Sequence, residues 1–203
     1  TTLVGDIFDA AGKKVFVGGN LGTPLCQFVL SGDRADWVIV EVSSFQLETI
    51  RTFRPKVAVL LNVTPDHLDR HRDVREYAET KFRVFENQTS EDFAVLNGDD
   101  SWTDPILSRI QSSPVFFSRH RQSQGGVFVK GESIITSIGG EERKVCEISK
   151  MGIQGVHNLE NAMAATAAAQ LAGCSVSDAG ETLQKFGGLE HRMEFVRELQ
   201  GVR

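Results

Sequence analysis

Val38-Ile39-Val40-Glu41-Val42 is a continuous apolar run broken by one carboxylate. A run of that length without alternation reads as a strand buried on both faces, the signature of a parallel sheet. A second run, Val57 to Val63, leads into Asn62-Val63-Thr64-Pro65-Asp66-His67-Leu68-Asp69. Two hydrophobic strands thus end in carboxylates, an amide and an imidazole. In open α/β sheets the carboxyl ends of the strands line the ligand crevice. An isolated carboxylate in a buried strand costs several kcal/mol or changes its ionisation, so Glu41 is expected to have a fixed partner. An ordinary strand-end ion pair would satisfy that expectation as well as a ligand would.

Outward from these strands, helix-like and strand-like stretches alternate. A helix is expected over Thr1–Ala11, a strand over Lys14–Val17, and a Gly-rich turn at Gly18-Gly19-Asn20-Leu21-Gly22. A short helix follows from about Thr23 to Leu30, and a turn or short helix runs from Ser43 to Ile50. Asp73 and Glu76 are spaced as a capping box opening a helix to about Asn87. Phe93–Leu96 reads as a strand and Asp100–Ile110 as a helix weakened by Pro105. This order predicts an α/β fold, a mostly parallel sheet with helices on both faces. From 114 to 148 short β-rich pieces separated by Gly-Gly and Gly-Glu turns predict a small antiparallel appendage. An Ala-rich helix from about Asn158 to Leu171 and another over Ser177–Phe186 follow, then a strand-like tail from Met193 to Leu199.

The 203 residues suffice for one α/β domain with a real core, and the 40% hydrophobic, 24% charged composition is that of a globular chain. A net charge of -5 gives no basic surface for nucleic acid. No apolar run reaches the length of a membrane-spanning helix. Cys26, Cys146 and Cys174 are far apart and odd in number, which fits a reducing, cytoplasmic setting rather than a disulfide framework. The chain lacks an initiator Met and opens inside a helix, so it is expected to be an excerpt.

Several side chains stand out as chemistry-bearing. Val74, Tyr77, Ala78, Lys81 and Phe85 form one helical stripe, which places Lys81 on the face turned to the core. A buried amine loses its proton more easily and becomes a base or a nucleophile. A lysine there can also lay its stem on apolar surface and keep its head in water. His67, beside Asp66 and Asp69, reads as a metal ligand, a general base or a plain loop histidine. His71, four residues on, would complete a helical metal pair, although Pro65 argues for a turn. Oxygen-rich surroundings without thiolates favour a hard cation such as magnesium. Asn158 and Asn161 lie one turn apart after Gly155-Val156-His157; paired carboxamides match an adenine edge, while Asn158 alone reads as a helix cap. The turn Gly18–Leu25 offers backbone amides and Asn20 to an anion. Arg192, in His191-Arg192-Met193-Glu194, has the reach for a phosphate or ribose, or belongs to a surface charge run.

Taken in order, Gly18–Leu25, Val40–Glu48, Asn62–Asp69, Lys81, His157–Asn161 and His191–Glu194 resemble the central, ATP-binding domain of the Mur ligases. The resemblance covers nearly the whole chain: 1–190 as that domain, with the small β subdomain at about 114–148, and 191–203 as a linker or the start of a C-terminal domain. Ser-Ser-Phe-Gln-Leu together with Gly-Asn-x-Gly-x-Pro points to the D-glutamate-adding branch. The resemblance implies a P-loop-NTPase-like sheet and ATP-dependent amide-bond formation in peptidoglycan synthesis. It also implies the substrates UDP-N-acetylmuramoyl-L-alanine, ATP and D-glutamate. On the matching positions it implies Glu41 as ligand of a magnesium shared with ATP and His67 as ligand of a second. Lys81 would be a carbamylated lysine supporting that second metal. Asn20 and Ser43 would contact the muramoyl substrate, His157, Asn158 and Asn161 the nucleotide base region, and Arg192 the nucleotide. The family's phosphate loop and its strand are expected just before Thr1, and the UDP-gripping and amino-acid-binding domains on either side. The 203 residues alone are therefore expected to be inactive. Competing readings are another ligase of the superfamily, such as a folylpolyglutamate synthase-like protein, or a noncatalytic nucleotide-binding module.

Overall fold

A computed structural model describes residues 1–67 and 69–188. The apolar runs form the strands that the sequence predicts, and their pairing divides them into two sheets. In the first, β1 (Val15–Gly19) pairs in parallel with β2 (Trp37–Glu41). The second runs in chain order through β3 (Val57–Leu60), β4 (Phe93–Asn97), β5 (Ser113–Ser118), β6 (Val127–Lys130), β7 (Ser133–Thr136) and β8 (Arg143–Glu147). Strands β3 to β6 are parallel, whereas β6–β7 and β7–β8 are antiparallel.

Alternation along the strands creates two cores. Phe93 and Val95 of β4 face α1 (Thr2–Ala10), α6 (Val156–Leu171) and α7 (Val176–Lys185). Ala94 and Leu96, on the opposite face, meet α4 (Val74–Phe82) and α5 (Thr103–Leu107). Helices therefore cover both faces, as parallel strands require. Residues 162–169 of α6 are all buried, six of them alanine, and the helix touches β3, β4, β5 and β6. Small side chains permit that close approach. Gly180 does the same for α7, since a Cβ there would lie 2.3 Å from the Val145 carbonyl oxygen of β8.

Some elements depart from the sequence reading for identifiable reasons. Strand β2 is parallel but not buried: Val38 is 44% exposed, because β2 has β1 as its sole strand neighbour among the described residues. The hairpins read between 114 and 148 are present as β6–β8, and they continue the edge of the main sheet. Val115–Phe117 belongs instead to parallel β5, whose two faces are both covered. Helix α4 ends at Phe82 and tightens into a 3-10 turn over Arg83–Phe85. Its Asp73 accepts from the Glu76 N–H at 2.8 Å, but the Glu76 carboxylate reaches the Arg72 N–H, so only half the box closes. Helix α5 shrinks to Thr103–Leu107, with Pro105 in its first turn, where a missing N–H costs little. Helix α6 begins at Val156 with Gly155 as its cap (φ 101°). The tail from Met193 to Leu199 lies outside the described residues.

At the amino ends of β3 and β4, Asp92 is nearly buried and accepts from Arg54 Nε at 2.6 Å and from the Thr89 N–H at 2.9 Å. The Arg54 guanidinium holds the Asp92 carboxyl down from its ordinary 3.8 to about 2. A depressed carboxylate stabilises the fold above its unfolded value, and that contribution is lost as pH falls from about 4 towards 2. Asp92→Asn should therefore lower stability at pH 7 and flatten its decline over that acid window, measured by thermal unfolding at several pH values. Ala167→Leu in α6, which is 0% exposed, should cost about 1–3 kcal/mol by overpacking; an unchanged melting temperature would contradict the close helix–sheet contact.

Candidate functional site

The carboxyl ends of β1 and β2 meet first. Gly19 adopts φ 118°, and a Cβ on it would lie 2.3 Å from the Glu41 carbonyl oxygen of its parallel neighbour, so glycine is required at this end of the pair. The Gly19 N–H donates to Thr23 O at 2.9 Å, and the Asn20 N–H donates to Glu41 O at 2.8 Å. Asn20 is thereby fixed beside Glu41 through its backbone, while its side chain is exposed. The Glu41 side chain is half-buried and has no hydrogen bond or ion pair among the described residues. The fixed protein partner expected from the sequence is thus not found there. The reason is that β2 is only partly covered, which leaves the carboxylate its hydration.

Immediately after β2, Ser43 caps α3 (Ser44–Leu47). Its Oγ accepts from the Gln46 N–H, and Gln46 Oε1 accepts from the Ser43 N–H at 2.9 Å. The adjacent Ser44 is buried, and its Oγ lies 3.1 Å from His71 Nε2. Helix α3 also presents Phe45, whose ring contacts His67 at 5.2 Å and stacks on His71 at 5.9 Å.

The segment after β3 is held by its neighbours. Asn97 Nδ2 donates to Leu61 O, and the Val63 N–H donates to Asp100 Oδ2. His67 then adopts φ 51°, the one left-handed non-glycine among the described residues, at a cost on the order of 1–3 kcal/mol. Its N–H donates to Asp66 Oδ1 at 2.8 Å, and its side chain is 48% exposed. Tyr77 of α4 lies under this group, 6.2 Å from the His67 ring and 5.1 Å from that of His71.

Lys81 Nζ sits 4.7 Å from the centroid of the same tyrosine, a cation–π contact, and 3.5 Å from Asn62 O, the outer limit of a hydrogen bond. The lysine is half-buried rather than buried. Its neighbours on the stripe, Tyr77, Ala78 and Phe85, are buried, whereas the long side chain reaches past the Tyr77 ring to Asn62 O just beyond β3. His67 and Lys81 thus flank one ring, and Phe45 ties that group to the end of β2 and Glu41. His71 is a buried partner of Ser44 rather than half of a metal pair. Among the described residues no group of three His, Cys, Asp or Glu side chains is arranged to hold a metal alone.

At the start of α6, Asn158 and Asn161 share a face, both half-buried, and His157 is exposed. Asn158 is not the cap; its Nδ2 donates to Gln154 O at 2.8 Å. Beside it an apolar groove of about 240 Å³ is lined by Ile148, Met151, Ile153, Val156 and Leu159. Arg192 lies outside the described residues. Sequence reasoning missed Phe45 and Tyr77 as the surfaces joining the histidines to Lys81; the Tyr77–Lys81 spacing of one helical turn was the available signal. It also missed Asp99, which accepts from Ser118 Oγ at 2.6 Å and the Arg119 N–H at 2.7 Å, while Arg119 Nε bonds Glu160 of α6 at 2.8 Å.

Residues 1–169 match the family described as the Mur ligase middle domain. The chain belongs to the Mur ligase family. Among curated relatives, the UDP-N-acetylmuramoylalanine--D-glutamate ligase of Pelotomaculum thermopropionicum is 49% identical over 203 residues, covering 100% of this chain and 45% of its own length. That of Geotalea uraniireducens is 49% identical over 202 residues, with 100% and 44% covered. This Mur ligase chain therefore spans a little under half the length of the relatives it matches. Among solved structures, a UDP-N-acetylmuramoyl-L-alanyl-D-glutamate--2,6-diaminopimelate ligase superposes with a TM-score of 0.77 at 23% identity, covering 97% of this chain and 45% of its own. MurF from Acinetobacter baumannii gives 0.74 at 20% identity, with 98% and 45% covered. At those identities the likeness is one of fold. Among the described residues no helix is long and apolar enough to cross a membrane.

Since the Glu41 side chain makes no hydrogen bond or ion pair among the described residues, Glu41→Gln should leave stability unchanged to within about 0.5 kcal/mol. A clear fall in the urea or thermal midpoint would reveal a structural role instead.

Proposed function

We propose that the protein containing this chain is a cytoplasmic ATP-dependent ligase that joins D-glutamate to UDP-N-acetylmuramoyl-L-alanine in peptidoglycan synthesis. The observation that carries the reading is the 49% identity over the full 203 residues to D-glutamate-adding ligases, together with the Glu41 carboxylate left unpaired among the described residues at the end of β2. The substrate's alanyl carboxylate attacks the γ-phosphorus of ATP and ADP leaves. The D-glutamate amine then attacks the acyl carbon of the resulting acyl phosphate, losing a proton as inorganic phosphate departs. Two anions must approach each other in the first step, so their repulsion has to be offset.

The donor set suits magnesium, which typically takes one or two protein carboxylates and completes its shell with water and phosphate oxygens. Glu41, half-exposed and unpaired among the described residues, would hold the ion shared with the ATP phosphates. His67, exposed beside Asp66, would hold a second. Bound magnesium would neutralise charge on the phosphates and polarise the transferring group. Lys81 would act as a carbamate: its amine adds to carbon dioxide, a C–N bond forms and a proton leaves. Its carbamate oxygens would then help hold the second magnesium.

Asn20, beside Glu41, and Ser43 would meet the muramoyl substrate; the Ser43 hydroxyl would have to be shared with its helix cap. Asn158 and Asn161, with exposed His157, would read the adenine edge, and the Ile153–Val156–Leu159 groove offers its ring an apolar surface. Arg192 would reach the nucleotide. A parallel strand bearing the phosphate loop, expected upstream of Thr1, would pair with the edges that β2 and β3 leave free among the described residues.

The test is a substrate panel on the intact protein: ATP, magnesium and UDP-N-acetylmuramoyl-L-alanine with D-glutamate, L-glutamate, diaminopimelate or D-alanyl-D-alanine in turn. Phosphate release with D-glutamate alone is expected; turnover with another member would reassign the branch. Lys81→Ala should lose roughly 100-fold or more in kcat, and stripping carbon dioxide and bicarbonate should depress the wild-type rate. Wild-type turnover by the alanine variant would remove the carbamate.

A further inference from the structure

We infer that His71 is a positioning residue: its buried bond to Ser44 clamps the left-handed turn that presents His67. The inference rests on the reading that His67 serves a magnesium-dependent ligase. His67 and His71 differ sharply although they stand four residues apart. The ring of His67 is 48% exposed, whereas His71 is 3% exposed. One is available to a ligand and the other is not.

The turn itself is held at its backbone. The carbonyl oxygen of His67 accepts from the Arg70 N–H at 3.0 Å and from the His71 N–H at 2.9 Å. These bonds fix a residue that L-amino acids rarely place at φ 51°. Such a conformation persists only where its surroundings over-determine it.

Two polar side-chain ties among the described residues bind this turn to α3 and to Glu48 just after it. The Arg70–Glu48 ion pair, at 2.8 Å, has side chains 59% and 30% exposed. Pairs that open to solvent contribute little. The His71–Ser44 bond, at 3.1 Å, is buried, and removing one partner strands the other without water. His71 is also packed between Phe45 and Tyr77, at 5.9 and 5.1 Å, and so couples α3, the turn and α4. Of the two ties, the buried one therefore carries the constraint. Through Phe45 and Tyr77 it also sets where the His67 ring sits relative to Lys81.

The experiment uses the intact protein with His71→Phe, which keeps a ring between Phe45 and Tyr77 but removes the bond, and Ser44→Ala, which removes it from the other side. Each should raise the magnesium concentration for half-maximal rate about tenfold with little change in the KM for ATP. Each should also speed hydrogen exchange at the amides of Arg70 and His71. The double variant should be no worse than the more impaired single one, since both delete the same bond. Wild-type magnesium dependence with unchanged exchange in the two single variants would overturn the inference, as would fully additive losses. Exchange at those amides needs no turnover, so it judges the clamp even if the substrate panel finds no ligase. Should His71→Phe fail to fold, Ser44→Ala decides alone.

Discussion

Parallel pairing of β3 to β6 is the constraint on which the rest depends. Successive parallel strands require the chain to cross a sheet face, and the crossings by α4 and α5 bring β3, β4 and β5 out at the same edge. The segments leaving them, Asn62 onward, Asn97 onward and Ser118 onward, are consequently neighbours and bond to one another through Asn97–Leu61, Asp100–Val63 and Ser118–Asp99. The end of β2 joins this group without sharing a strand pair with β3. Its link is α3, whose Phe45 and Ser44 touch the two histidines.

The two ends of the sheet are built on opposite principles. At the amino ends of β3 and β4, Arg54, Lys56, Thr89 and Asp92 satisfy one another around a nearly buried carboxylate. At the carboxyl ends, the Glu41 side chain is left without a protein partner among the described residues and Asn20 and His67 stand exposed. Polar groups that the fold does not consume remain free for a ligand, and local rules are most often broken where function needs them broken. The positive φ of His67 belongs to the same pattern.

Much of the architecture was legible because its signals are local. The apolar runs gave β2, β3 and β4, the Asp73–Glu76 spacing located the start of α4, and the alanines of α6 announced a helix lying close on a sheet. Long-range pairing left no such trace. Nothing in Val115-Phe116-Phe117 distinguishes a hairpin strand from the central parallel strand β5, since both are short and apolar. The exposure of β2 depends on which strands flank it, so Glu41 read as more buried than it is. Lys81 was placed on the correct face, but helical periodicity does not say how far a long side chain on that face reaches past the core. Gly155 displaced Asn158 as the cap of α6, because glycine at φ 101° starts a helix without a side chain to signal it. The two histidines were noticed as a pair; that one is buried and bonded to Ser44 follows from packing with α3, some 27 residues earlier.

The close pairing of Gly19 with Glu41 has a mechanical meaning. With the Asn20 N–H bonded to the Glu41 carbonyl and no room for a side chain between the strands, a shift of the Glu41 backbone would strain that bond directly, so the place of the loop bearing Asn20 is tied to the tip of the neighbouring strand.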